Sequence, residues 1–282
     1  MSITDKNLRL AVLIDADNAP RDCLKGIMEE VAIYGTPNVK RAYGDWSSRN
    51  LSGWRQTLLD NSVTPVQQFA YTRGKNSTDS AMIIDAMDIL YGGKADGFVL
   101  VSSDSDFTGL ARRLREAGLM VIGIGEQKTP GPLIAACNKF IYIENIRDRM
   151  LKAEKKTAQP AAKKKKTEPV KKPDPARKPE SAKKPAEAEP VRPAAEGRIP
   201  DSIVWLIADS ILDLAGPGDD DYVSLGAVGQ LIQKKRSDFD TRSFGYAKLS
   251  TMVKAIDRFE VIEREDKSDP RSKLVYIRDM EM

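Results

Sequence analysis

Two apolar runs in this chain stop abruptly at acidic residues, and that pairing narrows the folds open to it. Leu8–Ile14 ends at Asp15-Ala16-Asp17-Asn18, just before Pro20. Phe98–Val101 ends at Ser102-Ser103-Asp104-Ser105-Asp106, followed by an amphipathic segment from Phe107 and a second apolar run, Leu119–Ile124. A β-rich run, a periodic run of about a dozen residues and another β-rich run read as strand, helix, strand. Gly118 supplies the turn between the last two. If the sheet is parallel, both acidic ends lie at one edge, and open α/β sheets bind ligands outside the carboxyl ends of their strands. Carboxylates crowded there without a counter-ion repel and raise one another's pKa. A divalent cation removes the conflict, and an all-oxygen donor set favours Mg²⁺ or Mn²⁺.

The segments around these runs complete a layered domain. Pro20 and the apolar set Cys23, Leu24, Ile27, Met28 and Val31 predict a first helix. Gly35–Asn38 reads as a turn, Val39–Tyr43 as a short strand, Leu51–Leu59 as a helix and Thr64–Phe69 as a third strand. After the polar stretch Tyr71–Thr78, Asp79 opens a helix in which Met82, Ala86 and Ile89 recur at helical steps. That spacing places Asp79 one turn ahead of a buried face, where it can point toward the strand ends. Pro130–Cys137 is a short helix, Phe140–Ile143 a closing strand and Glu144–Lys156 a helical end. The expectation is an α/β/α sandwich with a parallel sheet of five or six strands over residues 1–150.

Composition divides the remainder. Leu151–Pro200 carries 12 Lys and 3 Arg against 7 Asp and Glu, a net +8, whereas the whole chain is +4. The folded parts are therefore mildly acidic. Residues 151–198 consist largely of Lys, Pro, Ala and Glu, too poor in apolar bulk to offset the ordering entropy, and read as a disordered linker. The chain has no histidine, which excludes His-based triads and His-ligated zinc. Its two cysteines lack metal-ligand spacing and read as reduced core thiols of a cytoplasmic protein. No apolar run approaches the roughly 20 residues of a membrane span, and the start has no signal-peptide pattern.

Folding resumes over 199–280. Asp201–Leu214 reads as a helix capped by Asp201, Leu225–Ile232 as a second and Tyr246–Ile256 as a third. Phe259–Glu263 and Leu274–Ile277 read as a two-stranded wing around the turn Asp266–Arg271. Three helices and a β-wing form a small winged-helix (α+β) domain.

Longer phrases carry two family resemblances. LRLAVLIDADNAP, KNSTDSAMIIDAMDIL and FVLVSSDSDFTGLARRLREAGLMVIGIG, continuing through PLIAACNKF, resemble the NYN family of PIN-like nucleases, in particular its LabA-like branch. The likeness runs from Leu8 to about Ile143. It implies a Rossmannoid three-layer sandwich whose acidic cluster binds Mg²⁺ or Mn²⁺ and cleaves RNA. By position, the resemblance makes Asp15, Asp79, Asp104 and Asp106 the catalytic and metal-binding set, with Asp17 an additional acid of smaller role. Tyr222–Leu231 and the phrase DFDTRSFGYAKL over Asp238–Leu249 resemble the OST-HTH or LOTUS domain, linked to RNA binding and to protein partners.

Together these readings predict a metal-dependent ribonuclease, a hydrolase, targeted by a C-terminal RNA- or protein-binding domain. Without histidine, the metal must generate the nucleophile. Arg73 and Lys75, before Asp79, are placed to hold phosphates, and Asn18, Ser102 and Ser103 to bond ligands or scissile oxygens. Trp46 and Trp54 can offer a base-stacking platform, although for Trp54 a core position is the favoured reading. Lys234, Lys235, Arg236, Arg242 and Lys248 are the basic candidates of the C-terminal domain. Two other readings compete. Asp15 and Asp104 can merely cap the segments after their strands, and the protein can be a non-catalytic RNA-binding adaptor. A haloacid-dehalogenase-type phosphatase, suggested by Asp15-Ala16-Asp17, fits poorly because Ala19 stands where a suitable Thr or Val is wanted.

Overall fold

The computed structural model describes residues 8–69, 77–157, 199–215, 222–265 and 273–281. Leu8–Asp15 is β1, and its side chains alternate between two cores: Leu10, Val12 and Ile14 enter one, Ala11 and Leu13 the other. A strand buried on both faces needs helices on both. The chain supplies them as α1 (Leu24–Val31), β2 (Gly35–Gly44), α2 (Trp54–Asp60), β3 (Thr64–Gln67), α3 (Ser77–Tyr91) and β4 (Gly97–Val101). Then come α4 (Thr108–Glu116), β5 (Met120–Gly125), α5 (Gly131–Ala136), β6 (Lys139–Tyr142) and α6 (Ile143–Thr157).

All six strands pair in parallel, in the order β3-β2-β1-β4-β5-β6. Helices α1, α2 and α6 cover one face through Leu24, Ile27, Trp54, Leu58 and Ile146. Helices α3, α4 and α5 cover the other through Met82, Ala86, Leu110, Leu114 and Leu133. Phe98 on β4 is wholly buried in that second core, where truncation to alanine costs about 3–5 kcal/mol. The parallel sandwich expected from the sequence is present. Its strand order reverses between β1 and β4, so the crevice at their carboxyl ends is the topological switch point.

Several local expectations needed correction. Gly35–Asn38 is the start of β2 rather than a turn. Its residues pair with Leu8–Leu10, and a register shift at Leu10/Ala11 leaves Asn38 as the unmatched residue. Trp54 is 4% exposed and takes the core position favoured for it, so the platform reading fails. Trp46 packs edge-on against Trp54 with ring centroids 6.3 Å apart and donates Nε1–H to the Val66 carbonyl at 3.0 Å. The two indoles brace β2 and α2, and do not make an open stacking platform. Gly118, at φ 80°, makes the predicted turn between α4 and β5.

The C-terminal half has its own core. It consists of α7 (Asp201–Leu214), β7 (Val223–Ser224), α8 (Leu225–Lys235), α9 (Leu249–Val253), β8 (Phe259–Glu265) and β9 (Lys273–Asp279). Ile203, Ile207, Val228, Ile232, Met252 and Ile277 pack together there. Strands β8 and β9 form the expected antiparallel pair, and β7 adds a third strand on the far side of β9. Asp201 makes no cap. Pro200 occupies that position, and Asp201 sits in the first turn. The third helix is shorter than expected because Gly245 turns left-handed at φ 84° and Lys248 is extended before α9 begins. The turn Asp266–Arg271 and most of the linker lie outside the described residues, although α6 continues to Thr157.

The connector after α8 lies along the open edge of β6. Phe140 N–H donates to the Ser237 carbonyl at 3.0 Å, Ser237 Oγ to the Ile134 carbonyl at 3.0 Å and Tyr142 Oη to Asp238 at 2.8 Å. Asn145 Nδ2 donates to Ser243 Oγ at 2.9 Å. Arg242 forks onto both oxygens of Glu30 on α1, at 3.0 and 2.9 Å, and Arg149 of α6 reaches the same carboxylate at 2.6 Å. An edge strand with unpaired amides is an aggregation hazard, and here the chain's own second half covers it.

Candidate metal centre

Strand alternation decides where the acids point. Asp15 follows Ala11 and Leu13 on the face of β1 that meets α3, and Asp79 lies on the α3 face that carries Met82 and Ala86. Both carboxylates therefore converge on the crevice between β1 and β4. From β4 the chain continues through Ser102 and Ser103 to Asp104 and Asp106, which adjoin the same crevice. Carboxylate oxygens of Asp79, Asp104 and Asp106 lie within 4.8 Å of one another, close enough to ligate a single ion. Asp79 and Asp104 are half-buried and Asp106 exposed.

Asp15 stands behind this triad and is 1% exposed. Its carboxylate accepts from Asn18 Nδ2 at 2.7 Å, Ser102 Oγ at 2.8 Å and the Asp17 amide at 3.2 Å. Ser102 Oγ also accepts the Asp104 amide at 3.1 Å, so one hydroxyl links the end of β1 to the loop after β4. Ser103 Oγ accepts the Glu126 amide at 2.8 Å and ties that loop to the end of β5. Thr78 Oγ1 donates to Asp17 at 3.3 Å, joining the start of α3 to the β1 turn.

Of the residues expected to touch substrate, Asn18, Ser102 and Ser103 are thus engaged in holding the acidic loops. Arg73 and Lys75 lie outside the described residues. Asp104 also caps the short turn Ser105–Phe107 by accepting the Asp106 amide at 2.9 Å. Capping and ligation are compatible here, because the capping bond uses one carboxylate oxygen. What sequence reasoning missed is Thr78, whose hydroxyl fixes Asp17. The signal was available as a hydroxyl one residue ahead of Asp79.

Electrostatics set this cluster apart. Burial, and then the charges of Asp15, Asp104, Asp106 and Asp17, raise the Asp79 carboxyl to about 6. Burial likewise raises Asp15, against the lowering effect of its Asn18 and Ser102 bonds. Close carboxylate oxygens are the donor set a hard divalent cation suits. A concavity of 390 Å³, lined in part by Lys139, Gln230 and Lys248, lies at the seam between the two halves.

An all-parallel sandwich with an acidic cluster at its switch point defines an α/β domain equipped for divalent-metal chemistry. Residues 9–144 match the family model described as NYN domain, and residues 202–270 match that described as OST-HTH/LOTUS domain. The chain therefore carries an NYN domain followed by an OST-HTH/LOTUS domain, as the two resemblances implied. Among solved structures, a protein of unknown function from Vibrio parahaemolyticus is 19% identical with a TM-score of 0.44, covering 52% of this chain and 98% of its own. An uncharacterized protein from Nitrosomonas europaea is 29% identical with a TM-score of 0.25, covering 35% of this chain and 91% of its own. No curated protein matches the chain. No described helix is long and apolar enough to cross a membrane.

Proposed function

We propose that this protein is a Mg²⁺- or Mn²⁺-dependent ribonuclease of the PIN-like, LabA-like type, working inside the cell, with its NYN domain as catalyst and a winged-helix OST-HTH domain as targeting module. The observation that carries this reading is the convergence of Asp79, Asp104 and Asp106 oxygens within 4.8 Å at the switch point of the sheet. Asp79, Asp104 and Asp106 would hold the ion. Asp15, fixed by Asn18 and Ser102, completes the negative field from behind. When bound, a divalent cation supplies Lewis-acid stabilisation of charge building on phosphoryl oxygens. The chain's own part is to orient carboxylates before substrate arrives: Ser102 aligns Asp15 and Asp104, and Thr78 fixes Asp17 beside α3. Asp106, the exposed member, serves in this reading as a ligand or as the group that orients the attacking water. Arg73 and Lys75 precede α3 in sequence and serve as phosphate contacts in this reading.

The test is cleavage of mixed single-stranded and structured RNA by purified protein with Mn²⁺, Mg²⁺ or EDTA, beside Asp79→Asn and Asp104→Asn. Metal-dependent cleavage lost in both variants is expected. RNA retained on a gel but never cleaved would transfer the role to a non-catalytic adaptor.

A further inference from the structure

Helix α8 reads LGAVGQLIQKK, and each of its two glycines costs about 1 kcal/mol relative to alanine in a helix interior. Gly226, Gly229, Gln230 and Gln233 recur at helical steps and share one face. That face lines the concavity of 390 Å³ at the seam. A Cβ at 229 would lie 3.1 Å from Leu249 Cδ2, already a tight contact. At 226 the one described atom within 4 Å is Ser224 Oγ, at 3.7 Å, so bare backbone there keeps the cavity wide. Lys139 of β6 lines the cavity from the first half, Lys248 from the start of α9, and Phe239 and Leu249 add apolar surface.

The acids beside this cavity are engaged and its lysines are not. Asp240 holds the Arg242 guanidinium through bonds of 2.6 to 3.0 Å, and Glu30 takes Arg242 and Arg149 together. Among the described residues neither Lys139 nor Lys248 makes an ion pair. Lys139 is half-buried, with its ammonium 5.5 Å from the Tyr34 ring centre. Burial lowers its pKa, Asp240 and Glu30 pull the other way, and Arg242 adds to the fall. An ammonium so placed is stabilised by an anion that replaces its lost water. Gln230 and Gln233 are exposed, and their amides offer both donors and acceptors. Small-molecule sites span about 300–1,000 Å³, and this cavity, near the low end, has room for one nucleotide.

We propose that the seam cavity binds a nucleoside monophosphate, with Lys139 and Lys248 on its phosphate and Gln230 and Gln233 on its base. Lys139 comes from the first half and the other three from the second, so the ligand ties the halves together. No rim acid lines the cavity, and the proposal stands apart from cleavage. Full-length protein in EDTA and phosphate-free buffer at about 0.1 M salt is titrated by calorimetry with uridine and adenosine monophosphates. Uridine and inorganic phosphate serve as partial ligands. The monophosphates should bind and raise the melting temperature, and each partial ligand should bind at least about tenfold more weakly. Lys139→Gln and Lys248→Gln should each weaken binding about tenfold. Gly226→Leu should abolish it by filling the cavity, and Asp104→Asn should leave it unchanged. Lys248 is exposed, so its variant reads the site even where Lys139→Gln melts early. Absence of binding by both monophosphates at millimolar concentration would overturn the proposal. So would an affinity that Lys248→Gln and Gly226→Leu leave untouched, or inorganic phosphate bound as tightly as the nucleotides. Binding lost in Asp104→Asn would place the nucleotide at the rim instead and overturn it too.

Discussion

Asp15 and Glu30 are equally buried, each 1% exposed, yet the chain surrounds them in opposite ways. Glu30 has two arginines on its carboxylate, one from α6 and one from the C-terminal half. Asp15 has only neutral donors and three more acids before it. A buried charge is tolerated when it is paired, and one left beside like charges raises its own pKa. Two regions of one sandwich thus use buried carboxylates for different ends. At the seam the charge is neutralised from within and fixes two halves together. At the rim, Asp15 is held by neutral donors and lies beside other acids.

The largest effect expected from this contrast is at the rim. Asp104→Asn should lower metal-dependent cleavage by about a thousandfold, in line with loss of one preorganised electrostatic group, while leaving the melting temperature near parental. Equal loss of activity and stability would erase the distinction between rim and seam. Next comes the seam itself. Glu30→Ala leaves Arg149 and Arg242 without their shared partner, and should cost about 2–3 kcal/mol, at or below the low end for breaking a buried pair because both arginines are partly exposed. Small-angle scattering of that variant should show a larger radius as the halves part, and cleavage of a short RNA should persist.

A smaller effect of opposite sign is expected from Asp79→Asn in EDTA. The folded carboxyl titrates at about 6, above the ordinary value of 3.8. The folded state therefore binds the proton more tightly, and this group's contribution to stability falls as pH rises from about 4 to about 6. The variant should melt above the parent by roughly 1 kcal/mol at neutral pH, discounted for solvent screening. The gap should open between those two pH values and stay constant above them. Saturating Mn²⁺ should reverse the order. The smallest effect is expected from Ser103→Ala, which removes the acceptor of the Glu126 amide and should lower cleavage only a few-fold, about 1 kcal/mol.

Much of this was written into local sequence. Uninterrupted runs such as LRLAVLI and FVLV declare strands buried on both faces, and their acidic ends mark the crevice. The i, i+3, i+7 spacing of Asp79, Met82 and Ala86 is enough to turn that acid toward the sheet. What the sequence concealed depends on register and long-range closure. The pairing of Leu10 with Pro37 but Ala11 with Val39 converted an expected turn into strand. Glu30 reads as one more exposed acid of α1 until Arg242, 212 residues away, is brought to it. The contact of the Arg264 guanidinium with the Tyr222 and Tyr276 rings likewise depends on β7, β9 and β8 pairing across one sheet.

If the rim acids form a cation site and the paired seam acid Glu30 does not, only changes at the rim should abolish metal binding. Manganese binding followed by electron paramagnetic resonance at pH 7.5 tests it most directly, with parent, Asp104→Asn and Glu30→Gln measured side by side. The account predicts Mn²⁺ bound by the parent and by Glu30→Gln, and binding lost in Asp104→Asn. A parent that binds no Mn²⁺, or an Asp104→Asn protein that binds it as the parent does, would contradict it.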